Sequence, residues 1–261
     1  MQHGSYEHIA VSESGIIAQI EVRRGPNNFI DTDMVGEIAD ALTVYDHTPS
    51  VRAIVLCAEG KHFCAGADFG SRGPDGIARE PKRGRHLYKE AQRLWKSTKP
   101  IVAAVHGAAV GAGVGLAVMA DFRVTCPEAR FSTNFTRLGF HPGFGLTATL
   151  PRLIGEQQAA LLLYTGRRLT GEEALRIGLA DYCVPQAQVR AKAAELATEI
   201  AQSAPLAIIA TRETLRRGLA EAVARATERE YEEQDWLRRT EDFREGTRAM
   251  DERRLPNFQA R

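Results

Sequence analysis

Residues 100–120, PIVAAVHGAAVGAGVGLAVMA, are almost wholly apolar and constrain the fold more than any other stretch. Their length matches a membrane span. But Gly107, Gly111, Gly113 and Gly115 would weaken a single helix through them. The run divides instead into a strand (IVAAV), a turn (HGAAVGAG) and a short buried helix (VGLAVMA) closed by Asp121. A chain that buries all of these must cover them on both faces, as α/β layers do.

The flanking sequence carries the same alternation. HIAVSE and IIAQIEV are strand patterns joined by a turn at Ser14 and Gly15. Asp31 stands as the N-cap of a helix whose apolar stripe includes Met34, Ile38, Leu42 and Val44. VRAIVLCAE is apolar on both faces, so it predicts a central strand. A long loop follows, GKHFCAGADFGSRGPDG, and then a helix through Leu87, Ala91, Leu94 and Trp95. DFRVTC and the residues around Phe131 give further strand. From about Leu146 the period turns helical and stays so through AVARATEREYEEQDWLRR. The fold class is therefore α/β, with an α/β core over residues 1–200 and a helical region over residues 201–261.

Bulk properties exclude several functions. A net charge of +1 without blocks of one sign argues against a generic nucleic-acid or membrane-surface binder. Cys57, Cys64, Cys126 and Cys183 form no CxxC pair and lie at no metal-ligand spacing from histidine, so no metal is expected and a reducing cytoplasm fits. The opening residues, MQHGSYEHIA, lack the basic start and apolar run of a secretory leader.

Three features carry chemistry. Gly111, Gly113 and Gly115 suggest a phosphate loop, but Leu116 occupies the place of the third dinucleotide glycine and Phe135 the place of the acid. A helix start whose free N–H groups face a ligand is the better reading. The second feature is CAGAD, residues 64–68, at the end of the central strand, where open α/β sheets bind ligands. Two such loops can aim two amides at one oxygen as an oxyanion hole, or can simply be two tight turns. The third is His141 in NFTRLGFHPGFG, residues 134–145. It is either a turn histidine or an acid/base group suited to neutral pH. No GxSxG, HExxH or Walker pattern occurs.

HFCAGADF, KPIVAAVHGAAVGAGVGLAVMADFRV, ARFSTNFTRLGFHPGFGLTATLPRLIG and LTGEEALRIGLADYCV, in that order, resemble the crotonase (enoyl-CoA hydratase/isomerase) superfamily. The resemblance implies a crotonase-like spiral of ββα repeats, a homotrimer or dimer of trimers through the C-terminal helices, and an acyl-CoA thioester as substrate and partner. Coenzyme A then enters as part of the substrate, with no separate cofactor, nucleic acid or membrane involved. The implied oxyanion donors are the amides of Ala67 and Ala112. Lys61, Ala65 and Ala67 would cradle coenzyme A, with Trp236 against the adenine and Arg253 and Arg254 near its phosphates.

The sequence departs from the pattern at two positions. The two hydratase glutamates correspond to Gly115 and Phe135, so both water-activating carboxylates are absent. His141 falls where divergent members of the superfamily place an active-site aspartate, which makes it the expected base, with His62 and His86 behind it. Three readings remain open: a divergent hydrolase, lyase or isomerase using His141; a hydratase with a recruited residue; and a CoA-thioester-binding protein with little catalysis. EPKRGRH, residues 80–86, hints at an anionic phosphate partner or a solvated helix start.

Overall fold

The computed structural model describes residues 5–67 and 86–261. Asp68 and residues 80–85 of the basic stretch lie outside them.

Nine strands and ten helices are present among the described residues. β1 (Ile9–Ser14) and β2 (Ile17–Val22) form an antiparallel hairpin across the turn at Gly15. α1 (Thr32–Asp46) starts where the sequence predicts, with the Asp31 carboxylate accepting from the Met34 amide at 2.9 Å. β3 (Ala53–Ala58) is buried along its whole length between β2 and β4 (Ile101–Val105), parallel to both. Between them in sequence lies α2 (Leu87–Leu94), capped by His86. Each buried Ile, Leu or Val in these strands contributes about 1.5–3 kcal/mol by leaving water, which is why the run from residue 100 folds inward.

The expected turn between strand and helix in that run contains a strand of its own, β5 (Ala108–Val110), before α3 (Ala112–Val118). β6 (Phe122–Thr125) returns beside β4, and β7 (Arg130–Ser132) pairs with β5. The helical half then follows as α4 (Leu146–Ile154), α5 (Glu156–Thr165), α6 (Gly171–Arg176), α7 (Val189–Ala201), α8 (Pro205–Leu215), α9 (Leu219–Leu237) and α10 (Glu241–Asp251). Two short strands interrupt it, β8 (Arg168–Thr170) and β9 (Tyr182–Cys183).

The main sheet has the order β1-β2-β3-β4-β6-β9, antiparallel only at its first pair. A second sheet has the order β5-β7-β8. α7 lies across β3, β4 and β6, while α9 packs on α2 and α4. α10 folds back on the 3-10 turn Thr136–Leu138. No helix among the described residues is long and apolar enough to cross a membrane.

Candidate active site

The site grows from one hydrogen-bonded crossing. After β3 the chain runs beside β4 and β5, held by Phe63 N to His106 O (2.9 Å), Cys64 N to Ala108 O (3.0 Å) and Val110 N to Cys64 O (3.0 Å). Cys64 and Ala109 thus form a parallel bridge. Buried Asn28 ties the same loop down by donating to the Glu59 and His62 carbonyls at 2.8 and 2.7 Å. Ala67 lies three residues beyond Cys64, and Ala112 three residues beyond Ala109. The bridge thus precedes each alanine by the same number of residues.

Left-handed backbone falls on the residue before each alanine: Gly66 has φ 91° and Gly111 has φ 54°. Neither Ala67 nor Ala112 has positive φ, so both accept a side chain without strain. The two loops touch. A Cβ on Gly66 would come 2.8 Å from the Val110 carbonyl oxygen, and one on Gly113 would come 3.0 Å from the Cys64 carbonyl carbon. Only glycine permits this approach.

The amides of Ala67 and Ala112 meet no acceptor among the described residues. In a trans peptide the N–H points opposite to the preceding C=O. The Gly66 carbonyl accepts from Ile30 N at 2.8 Å, so the Ala67 N–H faces away from Ile30. The Gly111 carbonyl accepts from Val114 N (3.0 Å) and Gly115 N (3.3 Å) inside α3, so the Ala112 N–H leaves the start of that helix. Such preorganised donors can stabilise an oxygen that gains negative charge.

The two positions expected to carry glutamates are packed instead. A Cβ on Gly115 would lie 2.9 Å from Cγ of the Phe144 ring, itself fully buried. Phe135 is buried too, with its Cζ 3.5 Å from where a Cβ on Gly111 would sit. It begins an edge-on aromatic row, Phe135 to Phe140 at 5.5 Å and Phe140 to Phe243 of α10 at 5.3 Å.

The three histidines hold different posts. His62 accepts from the Ala108 amide through Nδ1 (3.1 Å), and burial followed by the Lys61 charge lowers its pKa. His86 accepts from Tyr88 N at 3.2 Å as the cap of α2, and burial followed by the Arg238 charge lowers its pKa. Both act as structural acceptors. His141 is half-buried, and its Nδ1 lies 2.7 Å from the Pro142 carbonyl. A carbonyl only accepts, so Nδ1 is the donor in this bond, and in a neutral imidazole Nε2 is then the acceptor nitrogen.

Sequence reasoning missed the polar half of the α9 stripe. Leu219 and Val223 are followed on the buried face by Thr227, Glu230 and Gln234. Glu230 accepts from Gly145 N (2.7 Å), Thr147 N (3.1 Å) and Thr147 Oγ1 (2.6 Å), which fixes the start of α4. Burial nonetheless raises its pKa. Gln234 donates to the His141 carbonyl (2.8 Å) and accepts from the Tyr88 hydroxyl (2.9 Å). The signal was the helical spacing, at which Thr227, Glu230 and Gln234 continue the apolar stripe.

The remaining expected ligand residues lie elsewhere. Lys61 is exposed and Ala65 half-buried in the loop leading to Ala67. Trp236 is exposed on α9, its indole donating to Glu233 at 2.6 Å. Arg253 is exposed, and Arg254 is paired with Glu245 and Glu252.

A sequence model of the family described as enoyl-CoA hydratase/isomerase matches residues 12–261. The chain belongs to that family. It is 32% identical over 257 residues to a crotonyl-CoA hydratase of Syntrophomonas wolfei, covering 97% of this chain and 98% of the relative. It is 30% identical over 257 residues to a short-chain-enoyl-CoA hydratase of Clostridium acetobutylicum, with the same coverage of 97% and 98%. Among solved structures, an enoyl-CoA hydratase/isomerase from Pseudoalteromonas atlantica superposes with a TM-score of 0.86 at 26% identity, covering 97% of this chain and all of that one. An enoyl-CoA hydratase from Bacillus anthracis superposes at 0.75 with 30% identity, covering 98% of this chain and all of that one. The fold is thus the crotonase fold that the resemblance implied.

Proposed function

We propose that the chain is an acyl-CoA thioester enzyme that holds the thioester carbonyl between the Ala67 and Ala112 amides and stabilises an enolate or oxyanion there. The observation that carries this reading is the pair of unspent amides, each behind a left-handed glycine and each three residues past one bridge. Losing one such donor typically costs ~10²–10³-fold in kcat. Lys61 and Ala65, on the approach to Ala67, would grip the coenzyme, with Trp236, Arg253 and Arg254 as outer contacts.

Standard hydration is excluded from this proposal because Gly115 and Phe135 offer no carboxylate. His141 is the proton acceptor, through the Nε2 that its bond to Pro142 leaves free. The dry wall of Phe135 and Phe140 strengthens the amide contacts. The reaction is then an isomerisation, hydrolysis or lyase step that begins with proton removal, in place of addition of water between two carboxylates. The nearly continuous exposure of α8, including Leu206 and Leu215, favours self-association as a trimer or dimer of trimers, and the four free cysteines suit the cytoplasm.

Incubation with crotonyl-CoA and a panel of acyl-CoA thioesters tests the reading. Turnover of at least one thioester, lost in His141→Ala by about 10²-fold, is expected. Hydration of crotonyl-CoA at ordinary enzymatic rates would overturn the exclusion of water addition. Equal turnover in wild type and His141→Ala would remove the histidine from the mechanism. Binding without turnover throughout would leave a thioester-binding protein.

A further inference from the structure

Seven arginines among the described residues are at least half-buried. Arg24, Arg93, Arg123, Arg212 and Arg216 each meet a carboxylate, and Arg52 donates to the Ala201 carbonyl. Arg238, just past the end of α9, does neither. Its Nη2 donates to Gln234 Oε1 at 3.0 Å, an amide oxygen that already accepts from Tyr88. Its Nε is buried without a hydrogen-bond partner among the described residues. Its guanidinium carbon stands 5.8 Å from the centre of the Phe140 ring.

Among the described residues this half-buried cation has an aromatic face and one shared amide for company and no carboxylate to balance it. Guanidinium is suited to supply two parallel donors to a planar anion such as a carboxylate. The position says which anion. Phe140 contacts Phe135, and Phe135 contacts Gly111, whose peptide carries the Ala112 amide. Arg238 therefore stands two aromatic rings away from the donor that would hold the thioester oxygen. An acyl chain that left that oxygen in the direction of Phe135 and Phe140 would have the guanidinium at its far end.

We propose that Arg238 reads a carboxylate at the far end of the acyl group, so that the preferred substrates are monothioesters of dicarboxylic acids. This rests on the acyl-CoA reading above. It assigns Arg238 to specificity and gives it no part in moving protons. Gln234 positions it, because one amide group holds Arg238, Tyr88 and the His141 carbonyl together.

Titration calorimetry on the full chain tests the proposal with three ligand classes: free coenzyme A, methyl-ended acyl-CoA thioesters, and ω-carboxyacyl-CoA thioesters of matched length. Wild type is expected to bind the ω-carboxy thioester about tenfold or more tightly than its methyl-ended partner at one chain length or more. Arg238→Met is expected to erase that preference while binding methyl-ended thioesters as wild type does, and Arg238→Lys to keep part of it. The wild-type comparison stands even if a variant folds poorly. Absence of any preference in wild type, or its persistence in Arg238→Met, overturns the proposal and leaves the acyl-CoA reading intact. So does an equal loss of free coenzyme A affinity in Arg238→Met, which would assign the anion to a coenzyme phosphate. If no thioester binds wild type at all, the acyl-CoA reading falls first and this inference with it.

Discussion

Gly66→Ala perturbs the crossing on which the site is built. The added methyl carbon would sit 2.8 Å from the Val110 carbonyl oxygen, where ordinary contact begins at 3.4 Å. That oxygen belongs to main chain at the end of β5, so it cannot swing aside as a flexible side chain would. The backbone at residue 66 also has φ 91°, which an alanine resists. Left-handed backbone costs roughly 1–2 kcal/mol and overpacking about 1–3 kcal/mol. Together, at about 2–5 kcal/mol, they should lower Tm by roughly 4–20 °C. The strain is relieved by turning the peptide that joins residues 66 and 67, and that turn takes the Ala67 N–H off its aim. Loss of one donor is worth ~10²–10³-fold in turnover. The assay pairs thermal unfolding with the ¹³C shift of a bound thioester carbonyl, which two donors move away from its solution value. Gly15→Ala is the control: its φ of 61° is also positive, with nothing within 4 Å and no part in the site. If Gly66→Ala loses stability but leaves the carbonyl shift and turnover at wild-type values, the Ala67 amide is not a donor and the reasoning fails.

Two further outcomes follow from buried groups. Burial raises the Glu230 pKa above its unfolded value, so the folded state holds the proton more tightly. The stability this contributes is complete below the ordinary glutamate range and is lost as pH rises through the raised value. Denaturant melts across that window should therefore show wild type falling relative to Glu230→Gln as pH increases. A gap that widens the other way would mean that the Gly145 and Thr147 donors outweigh desolvation. Separately, Gly115→Ala should cost about 1–3 kcal/mol by striking the Phe144 ring. Adding Phe144→Leu should recover part of that loss in a double-mutant cycle, and strict additivity would show that the two positions do not touch.

Elements with a long, regular signal were legible in the sequence. α1 begins at its Asp31 cap and β3 lies at the sheet centre because capping chemistry and two-sided burial are written locally. β5, β8 and β9 were not legible. Each has two or three residues and is defined by partners far along the chain, as Val110 is by Ser132. The helical half accordingly holds two strand pairings that its charge-rich sequence conceals. At the site, the sequence identifies the two loops, but not the contact that registers them, since Gly66 and Val110 meet only in three dimensions. Nor could it separate Arg238 from the many charged residues of α9. The difference lies in which of them finds a carboxylate.

α10 has a consequence for how the protein comes into being. Its backbone at Asp242 and Phe243 packs on Gly139, Gly246 packs on Leu138, and the Phe243 ring closes on Phe140. During synthesis the ribosome delivers the segment around Phe140 about a hundred residues before its cover. Until α10 emerges, Phe140 has no Phe243 ring to pack on, and a nascent chain already long enough to form both glycine loops still lacks that contact.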